Sequence, residues 1–396
     1  MIDYIVVRNS DREKIGIVDA FASIIWNVVY FGVGTFEVYA PFDSNNAELL
    51  QIGNYVSRHG RRDIGIIENV NITYEAGGAL MITASGRFAK SILDRRLIYS
   101  LKDNTVTPVV CRGNVEAAAR SLVNQSIINA TDTARNVPFI ELGAAAGLSA
   151  KLVNDQQTSF GNLLEITDEM LQEYNYSAYM TLNESTLKLQ YIVFAGQDRT
   201  KGTANPLIFS QEYDNMLSND YTKYNTNEKN VALCGGAGEG VERKFVLVTD
   251  NAKDGIGRRE LFVDGSSNSE TYKDDDGETQ EYPTGEYLAM LRTTARQELL
   301  QYKAAEEIDA ELDVTTSVLE FETDYNVGDI ITIIDNVLNI EIKSRIIEVN
   351  EVQDGGGYSV NIKVENSDAI AAEILTTEAE ETLLTEKGET IITRWI

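Results

Sequence analysis

The feature that most constrains the fold is a strand–glycine–strand pattern that occurs twice with the same internal spacing, once near each end of the chain. The run Ile66-Ile67-Glu68 aligns with Ile346-Ile347-Glu348. The apolar positions are Ile66, Ile67, Leu80, Ile82 and Ala84 around Gly77 in the first copy, and Ile346, Ile347, Val360, Ile362 and Val364 around Gly357 in the second. A slip of one residue turns every side chain of a strand to the other face. Equal spacing over both arms therefore favours two similar β-units. The pattern is also common by chance, so duplication and coincidence both stay open.

The alternation of apolar and polar residues places strands toward both ends of the chain and a mixed region between them. We therefore predict an α+β, mainly β protein with two similar antiparallel β-barrels and α+β insertions. The predicted parts are residues 1–111 as the first β-barrel, 112–206 as an α+β domain, 207–366 as the second β-barrel, and 367–396 as a C-terminal arm. An acidic loop and a helix, at about residues 264–307, are inserted in the second barrel.

Three segments carry apolar residues at helical spacing. The first predicted helix covers residues 114–128 and begins at Asn114, a residue type that caps helix N-termini. The others cover residues 159–174 and 287–307.

The glycine-rich run at residues 235–240 lies between two apolar segments and is predicted to be a hairpin loop. A phosphate-binding loop would need a helix directly after the glycines. The residues that follow, 244–249, have the pattern of a strand instead.

Composition narrows the function classes. The chain has 34 Lys and Arg against 62 Asp and Glu, a formal net charge of −28. This balance argues against a protein that binds a nucleic-acid backbone, because Lys and Arg must replace the condensed counterions there. His59 is the single histidine and there are two cysteines, so catalytic triads and zinc sites have few candidate residues. His59 lies in a basic turn, residues 57–62, which we expect to meet an acidic neighbouring subunit rather than DNA.

The remaining site candidates are weak. The run Asp-Asp-Asp-Gly at residues 274–277 suggests calcium, but an EF-hand register would put Tyr272 and Pro283 at ligand positions. A loose calcium site and a solvated loop both stay open. Paired carboxylates for glycoside hydrolysis also stay open, because the acidic residues offer many pairs. The apolar segment 20–36 is short for a membrane helix and is predicted to form two strands. We expect no membrane span and no cofactor.

Two regions resemble siphovirus tail hub proteins of the gene-product-37-like type. The N-terminal resemblance rests on Asp19-Ala-Phe-Ala-Ser-Ile-Ile-Trp26 with Tyr30, Gly34-Thr-Phe36-Glu37 and Pro41, and on Gly86-Arg87-Phe88-Ala89-Lys90-Ser91-Ile92-Leu93-Asp94-Arg95-Arg96. The C-terminal resemblance rests on Tyr325-Asn-Val-Gly-Asp-Ile-Ile331 and Gly355-Gly356-Gly357-Tyr358. It covers residues 1–112 and 314–366 directly. The middle of the chain matches only in the order of its elements, and none of the motifs is catalytic.

The resemblance implies a structural, non-enzymatic virion protein: a baseplate hub whose homotrimer forms a pseudo-sixfold ring at the distal end of the phage tail. The implied partners are a distal tail protein or the tail tube above, tip, fibre or spike proteins below, and the tape measure protein in the lumen. DNA passes through such a ring without specific binding. An acidic lumen that repels phosphate would account for the charge of −28, and so would plain solubility.

The candidate residues include no catalytic, metal-binding or cofactor-binding group. We expect Trp26, Phe36, Leu93 and Val360 to contribute to barrel packing. We expect inter-subunit or inter-domain ion pairs from Glu37, Arg87, Arg95 and Arg96, with local salt bridges worth ~0–1 kcal/mol as the alternative. Trp395 is expected to anchor the C-terminal arm on a neighbour. Two other functions stay open: a tail-associated cell-wall hydrolase acting through paired carboxylates, and a receptor- or carbohydrate-binding tail module.

Overall fold

The structure is a computed structural model of the 396-residue chain. It describes residues 4–74, 78–102, 105–107, 109–152, 156–158, 160–213, 215–216, 218–240, 243–249, 254–273, 278–302, 305–312, 319–337, 340–366, 382–384 and 390–392. The α-helices are α1 (Ser44–Leu49), α2 (Val115–Val123), α3 (Leu163–Glu173) and α4 (Thr284–Leu300). Short 3-10 helices cover Ala89–Arg95, Thr133–Arg135, Gln211–Tyr213 and Gly255–Gly257, and a π-helical turn covers Asn124–Ile128.

The strands, in chain order, are β1 (Ile5–Arg8), β2 (Lys14–Val18), β3 (Ser23–Val29), β4 (Thr35–Pro41), β5 (Tyr55–Arg58), β6 (Ile64–Thr73), β7 (Met81–Phe88), β8 (Ser100–Lys102), β9 (Thr105–Thr107), β10 (Val109–Cys111), β11 (Ile140–Leu142), β12 (Gln156–Thr158), β13 (Ser177–Asn183) and β14 (Lys188–Phe194). They continue as β15 (Ile208–Ser210), β16 (Ser218–Tyr224), β17 (Val231–Gly235), β18 (Phe245–Thr249), β19 (Glu260–Asp264), β20 (Thr271–Lys273), β21 (Thr279–Glu281), β22 (Ala305–Leu312), β23 (Ile330–Asp335), β24 (Ile340–Asp354), β25 (Gly357–Asn366), β26 (Thr382–Leu384) and β27 (Thr390–Ile392).

Thirteen strands form one sheet. Its path runs β16-β22-β25-β24-β3-β4-β7-β6-β5-β1-β2, and β23 pairs with both β24 and β15. The smaller sheets are β11-β14-β13, β18-β17-β19, β10-β12, β20-β21, β26-β27 and β8-β9. The protein is therefore mainly β, as predicted.

The described strands do not form the two predicted closed barrels. The second half of β24 pairs antiparallel with β3, from Glu348 opposite Val29 to Gln353 opposite Ile24. This contact joins the N-terminal and C-terminal strands in one sheet, which does not close on itself within the described residues. A sheet edge with unpaired N–H and C=O groups needs a partner, and closure into a barrel is one way to supply it. The barrel prediction was wrong because β24 and β3, from different parts of the chain, supply partners to each other instead.

Two parts of this sheet follow the same strand plan. The order β3-β4-β7-β6-β5, here called the first unit, matches the order β16-β22-β25-β24-β23, the second unit, and every pairing in both is antiparallel. The fourth strand of each unit carries a β-bulge, at Glu68 in β6 and at Ile347 in β24. The bulges therefore align Glu68 with Ile347. The sequence comparison, which aligned Glu68 with Glu348, was one position out of register on this strand.

Three apolar clusters hold the chain together. The first contains residues of both units, among them Trp26, Phe36 and Ile362. The second contains α2 and α3 with β13 and β14. The third packs α4 against the β18-β17-β19 sheet through side chains such as Cys234 and Leu291. The first cluster is thus shared by the units that the sequence assigns to separate barrels.

All three predicted helices are present, but some of their predicted boundaries were wrong. The Asn114 side chain caps α2 by accepting from the Ala117 N–H at 2.9 Å, and the π-helical turn extends the segment to Ile128. The predicted start at residue 159 was wrong, because Asn162 caps α3 and Phe160 has a φ of 64°. The predicted end at residue 307 was also wrong.

Residues 305–307, at the predicted end of that helix, instead begin β22, because pairing with β25 outweighs their helical pattern.

The two remaining loop predictions have different outcomes. The glycine-rich run follows β17, which pairs antiparallel with β18, so the predicted hairpin is confirmed. The acidic segment is not structureless, because β20 and β21 form a second hairpin there. Residues 274–277, where a calcium site stayed open, lie outside the described residues, as does most of the arm 367–396.

Candidate functional site

The candidate site is a buried charge cluster where β24 of the second unit meets β3 of the first. Glu351 in β24 lies opposite Trp26 in β3, and both side chains are 0% exposed. The bulge at Ile347 changes which residues of β24 face inward, so Val349 and Glu351 are buried on the same side. A carboxylate is thereby placed in the shared apolar core.

Two arginines from the basic turn of the first unit bind this carboxylate. Arg58 donates to both oxygens of Glu351, at 2.9 and 3.3 Å. Arg61 donates to both as well, from Nε at 2.9 Å and from a terminal nitrogen at 2.6 Å. The Tyr358 hydroxyl of β25 donates to Oε1 of Glu351. Because forked guanidinium–carboxylate contacts are directional, the cluster fixes the two units relative to each other.

The electrostatics of the cluster favour the ionised carboxylate. Burial raises the pKa of Glu351, but the hydrogen bond from Arg61 and the charges of Arg58 and Arg61 outweigh burial and lower it to about 2. Burial opposes the charged form of Arg61 too, yet its hydrogen bond to Glu351 raises the pKa of Arg61 above its ordinary value. Burial next to Glu351 raises the pKa of Tyr358 to about 12. The phenol therefore stays protonated and able to donate.

The arginines also pack against aromatic rings. The guanidinium carbon of Arg58 lies 5.5 Å from the ring centroid of Trp26, and that of Arg61 lies 5.3 Å from the ring centroid of Phe321. A terminal nitrogen of Arg61 donates to the Phe321 carbonyl oxygen at 3.1 Å. Such contacts suit arginine, whose flat cation stacks on rings while its nitrogens bind acceptors.

A second charged group lies beside the cluster. Arg62 lies against the rings of Tyr179 and Phe194, with its guanidinium carbon 4.3 and 4.5 Å from their centroids. Its Nε lies 3.6 Å from Oδ2 of Asp63 and 3.7 Å from Oε1 of Glu322. These three atoms are buried and have no hydrogen-bond partner in the described part of the chain.

Glu322 is unusual in both backbone and charge. Its φ of 65° lies in the left-handed region, which is uncommon for a residue other than glycine. One of its oxygens accepts from the Arg62 backbone N–H at 2.8 Å. Burial, followed by the nearby charge of Asp63, raises the pKa of Glu322 to about 7. Burial also raises the pKa of Asp63.

A polar cleft of ≈360 Å³ opens next to this group. Its lining includes Arg62, Glu322, Asn326 and Asp329. Asp329 is already engaged, because its Oδ2 accepts from Arg199 Nε at 2.8 Å. Within the described residues, no group of three or more His, Cys, Asp or Glu side chains could hold a metal ion. No helix in that part of the chain is long and apolar enough to span a membrane.

Two arginines of the basic turn are engaged within the chain. Arg58 and Arg61 bind Glu351 and are largely buried, at 5% and 7% side-chain exposure. The contact of the turn with an acidic neighbouring subunit stays a prediction. His59, between the two arginines, is exposed at the turn, as predicted.

The packing candidates lie in two different clusters. Trp26, Phe36 and Val360 are buried in the first cluster, where the ring centroids of Trp26 and Phe36 are 5.9 Å apart. Leu93 is buried in the second cluster, beneath α2 and α3.

Two of the four charged candidates, Arg87 and Arg96, bind partners within the chain. Arg87 donates to both oxygens of Glu68, at 2.9 and 3.0 Å, and to Asp94 at 3.0 Å. Arg96 donates to the Arg135 carbonyl oxygen. Glu37 is half-buried in β4 and Arg95 is exposed. Trp395 lies outside the described residues.

The sequence analysis missed Glu351, Tyr358 and Glu322. Glu351 has no local signal, because a bulge that is visible only in strand pairing turns it inward. The sequence shows the cluster of arginines in the turn, but Glu351, the partner of Arg61, lies 290 residues away. The pairing of β24 with β3 brings Glu351 to the first unit, and Tyr358 reaches Glu351 across the β24–β25 hairpin.

Comparisons with known proteins agree with the fold. The family model described as Siphovirus ReqiPepy6 Gp37-like protein matches residues 4–364. No curated protein sequence matches the chain.

The similar solved structures include three tail proteins. The tail protein from Neisseria meningitidis MC58 has 12% identity and a TM-score of 0.55, over 92% of this chain and 96% of that one. The 43 kDa tail protein of prophage MuSo2 from Shewanella oneidensis has 13% identity and a TM-score of 0.55, over 92% and 99%. Prophage tail protein gp18 from Listeria monocytogenes EGD-e has 11% identity and a TM-score of 0.52, over 94% and 97%. At such identities the likeness concerns the fold. The family model spans most of the chain, so the resemblance seen in the sequence is confirmed, and the chain belongs to the Siphovirus ReqiPepy6 Gp37-like protein family.

Proposed function

We propose that this protein is a structural hub of the phage tail, located in the virion at the distal end of the tail. The observation that carries the proposal is the repeated strand plan, in which one chain supplies two equivalent sheet units that pair side by side. Membership of the siphovirus family and the fold shared with three prophage or tail proteins support it.

Two units per chain allow a change of symmetry. Three copies would supply six equivalent units, which match a sixfold tail tube on one side and a threefold tip on the other. A heterologous contact of this kind closes into a ring when its rotation permits. The neighbours are then a distal tail protein or the tube above, tip, fibre or spike proteins below, and the tape measure protein in the lumen.

The role is architectural rather than enzymatic. The most buried carboxylate of the candidate site, Glu351, is held by two arginines and a tyrosine, and this arrangement suits a lock between units. The two units also share one apolar cluster. The division into residues 1–111, 112–206, 207–366 and 367–396 stays a prediction, as do the contacts of Glu37, Arg95, Arg96 and Trp395 with neighbours.

The net negative charge would keep passing DNA from binding to the ring. A lumen lined by part of the 62 acidic residues would repel the phosphates of passing DNA, over a range of about 8 Å at physiological salt. Replacing lumen acids by lysine should then slow DNA ejection, and an unchanged ejection rate would contradict this part of the proposal.

The hub function is tested by the mass of the chain in solution. Light scattering should give three times the chain mass of 43.9 kDa, and negative-stain images of the same fraction should show rings. A monomer at every concentration, with and without its tail neighbours, would contradict the trimeric hub.

A further inference from the structure

The two units differ in a contact of their fourth strand. In the second unit, the first half of β24 pairs with β23 and the half after the bulge pairs with β3 of the first unit. In the first unit, the first half of β6 pairs with β5. The half after the bulge, residues 69–73, pairs with β7 on one edge, and no strand in the described part of the chain pairs with its other edge.

The opposite end of the sheet shows the complementary difference. β3 lies between β4 and β24, whereas its counterpart β16 pairs with β22 alone among the described strands. The two strands have the same length, seven residues. Among the described strands, therefore, residues 69–73 lack the partner that β24 has in β3, and β16 lacks the partner that β3 has in β24.

We propose that residues 69–73 of one copy pair antiparallel with β16 of a second copy, repeating between chains the contact that β24 makes with β3 within the chain. This inference rests on the proposed ring and names the surface that closes it. Around three copies, the internal and the external contact would alternate, and every sheet edge of this type would be paired.

The internal contact also sets the register. Within the chain, Glu351 lies opposite Trp26 and Asn350 lies opposite Asn27. The bulges relate Glu351 to Ile72 and Asn350 to Asn71. Pairing along the units relates Trp26 to Tyr221 and Asn27 to Thr222. Between copies, therefore, Ile72 lies opposite Tyr221, and Asn71 lies opposite Thr222.

The exposed end of the first hairpin supports a partner at this place. Ile72 is 50% exposed and Tyr74 is 73% exposed, whereas Val349 and Glu351 on the corresponding half of β24 are fully buried. An open strand edge with apolar side chains is a template for pairing with another chain. A second copy supplies β16, and the counterpart of β16, which is β3, already makes this contact with β24 inside the chain.

A disulfide between copies tests the register. Residues directly opposite in an antiparallel pair have Cα atoms about 4.5–5.5 Å apart, within the range of about 4.4–6.8 Å that a disulfide spans. The test variant is Asn71→Cys with Thr222→Cys, and the matched control is Thr73→Cys with Thr222→Cys, which is two positions out of register. All three sites are exposed, so the substitutions should not disturb folding. The native Cys111 and Cys234 are buried.

Mild oxidation of the full-length test variant should move most of the chain to bands of two and three linked chains on a non-reducing gel, and the control should stay mainly as single chains. Equal linking of both variants, or none in either while the wild type has the mass of a trimer, would overturn this contact and leave the hub function standing. A wild type that stays monomeric would overturn both.

Discussion

The clearest consequence of the site is that removing the charge of Glu351 should destabilise the protein strongly. Glu351→Gln keeps the shape of the side chain but leaves Arg58 and Arg61 without a counter-charge at 5% and 7% side-chain exposure. Removing one partner of a buried ion pair costs about 3–5 kcal/mol. Because two arginines lose their partner, we expect a loss of unfolding free energy near the upper end of that range.

Denaturant unfolding followed by tryptophan fluorescence measures this loss, since Trp26 lies next to Arg58. The matched control is Glu341→Gln, which removes an ion pair to Lys201 with side chains 53% and 56% exposed. Exposed pairs of this kind contribute about 0–1 kcal/mol. If Glu351→Gln and Glu341→Gln cost the same, the cluster does not hold the units together.

A triple variant separates unpaired charge from lost hydrogen bonds. Arg58→Met, Arg61→Met and Glu351→Met together remove all three charges and keep apolar volume. Replacing a complete buried ion cluster by apolar residues is often neutral or stabilising, so this variant should be more stable than Glu351→Gln. A triple variant as unstable as the single one would refute the role given to unpaired charge.

Three further predictions concern other parts of the chain. Because the folded pKa of Glu322 is about 7 against an ordinary value of 4.5, the folded chain retains a proton that the unfolded chain loses, and the unfolding free energy should fall as pH rises from about 5 to about 7. Glu322→Gln should flatten this slope in urea titrations, whereas an unchanged slope would assign it to other groups. Burial raises the pKa of both Cys111 and Cys234 to about 11, so a thiol reagent at pH 8 should label neither in the folded chain and both after unfolding. Trp26→Ala should cost about 3–5 kcal/mol through the cavity it leaves. Calorimetry measures this loss, because the substitution removes the tryptophan that reports on the junction, and a loss too small to detect would mean that the junction is loosely packed.

The local signals of the sequence were sufficient for several elements. Asn114 indicates the start of α2 because a short polar side chain satisfies the free N–H groups of a first helical turn. The glycine-rich run between two apolar segments indicates the β17–β18 hairpin, and the family motifs indicate the family. These features depend on neighbours within a few residues.

The candidate site depends on contacts that no local pattern records. Arg61 and Glu351 are 290 residues apart, and a bulge decides that Glu351 faces the core. The end of α4 and the strand at residues 305–312 were likewise decided by pairing with β25. At these positions, strand pairing between distant segments outweighs the local helical preference, because unpaired strand edges need hydrogen-bond partners.

The sequence by itself determined the mainly β class, the acidic composition and the scarcity of catalytic side chains, because composition and side-chain periodicity are local properties. It left open whether the repeated spacing is a duplication or a coincidence. Only the tertiary structure decided that the repeated units share one open sheet, that their bulges align Glu68 with Ile347, and that the basic turn is neutralised within the chain. The physical reason is that strand hydrogen bonds and buried charges are satisfied by whichever partner the whole fold brings near.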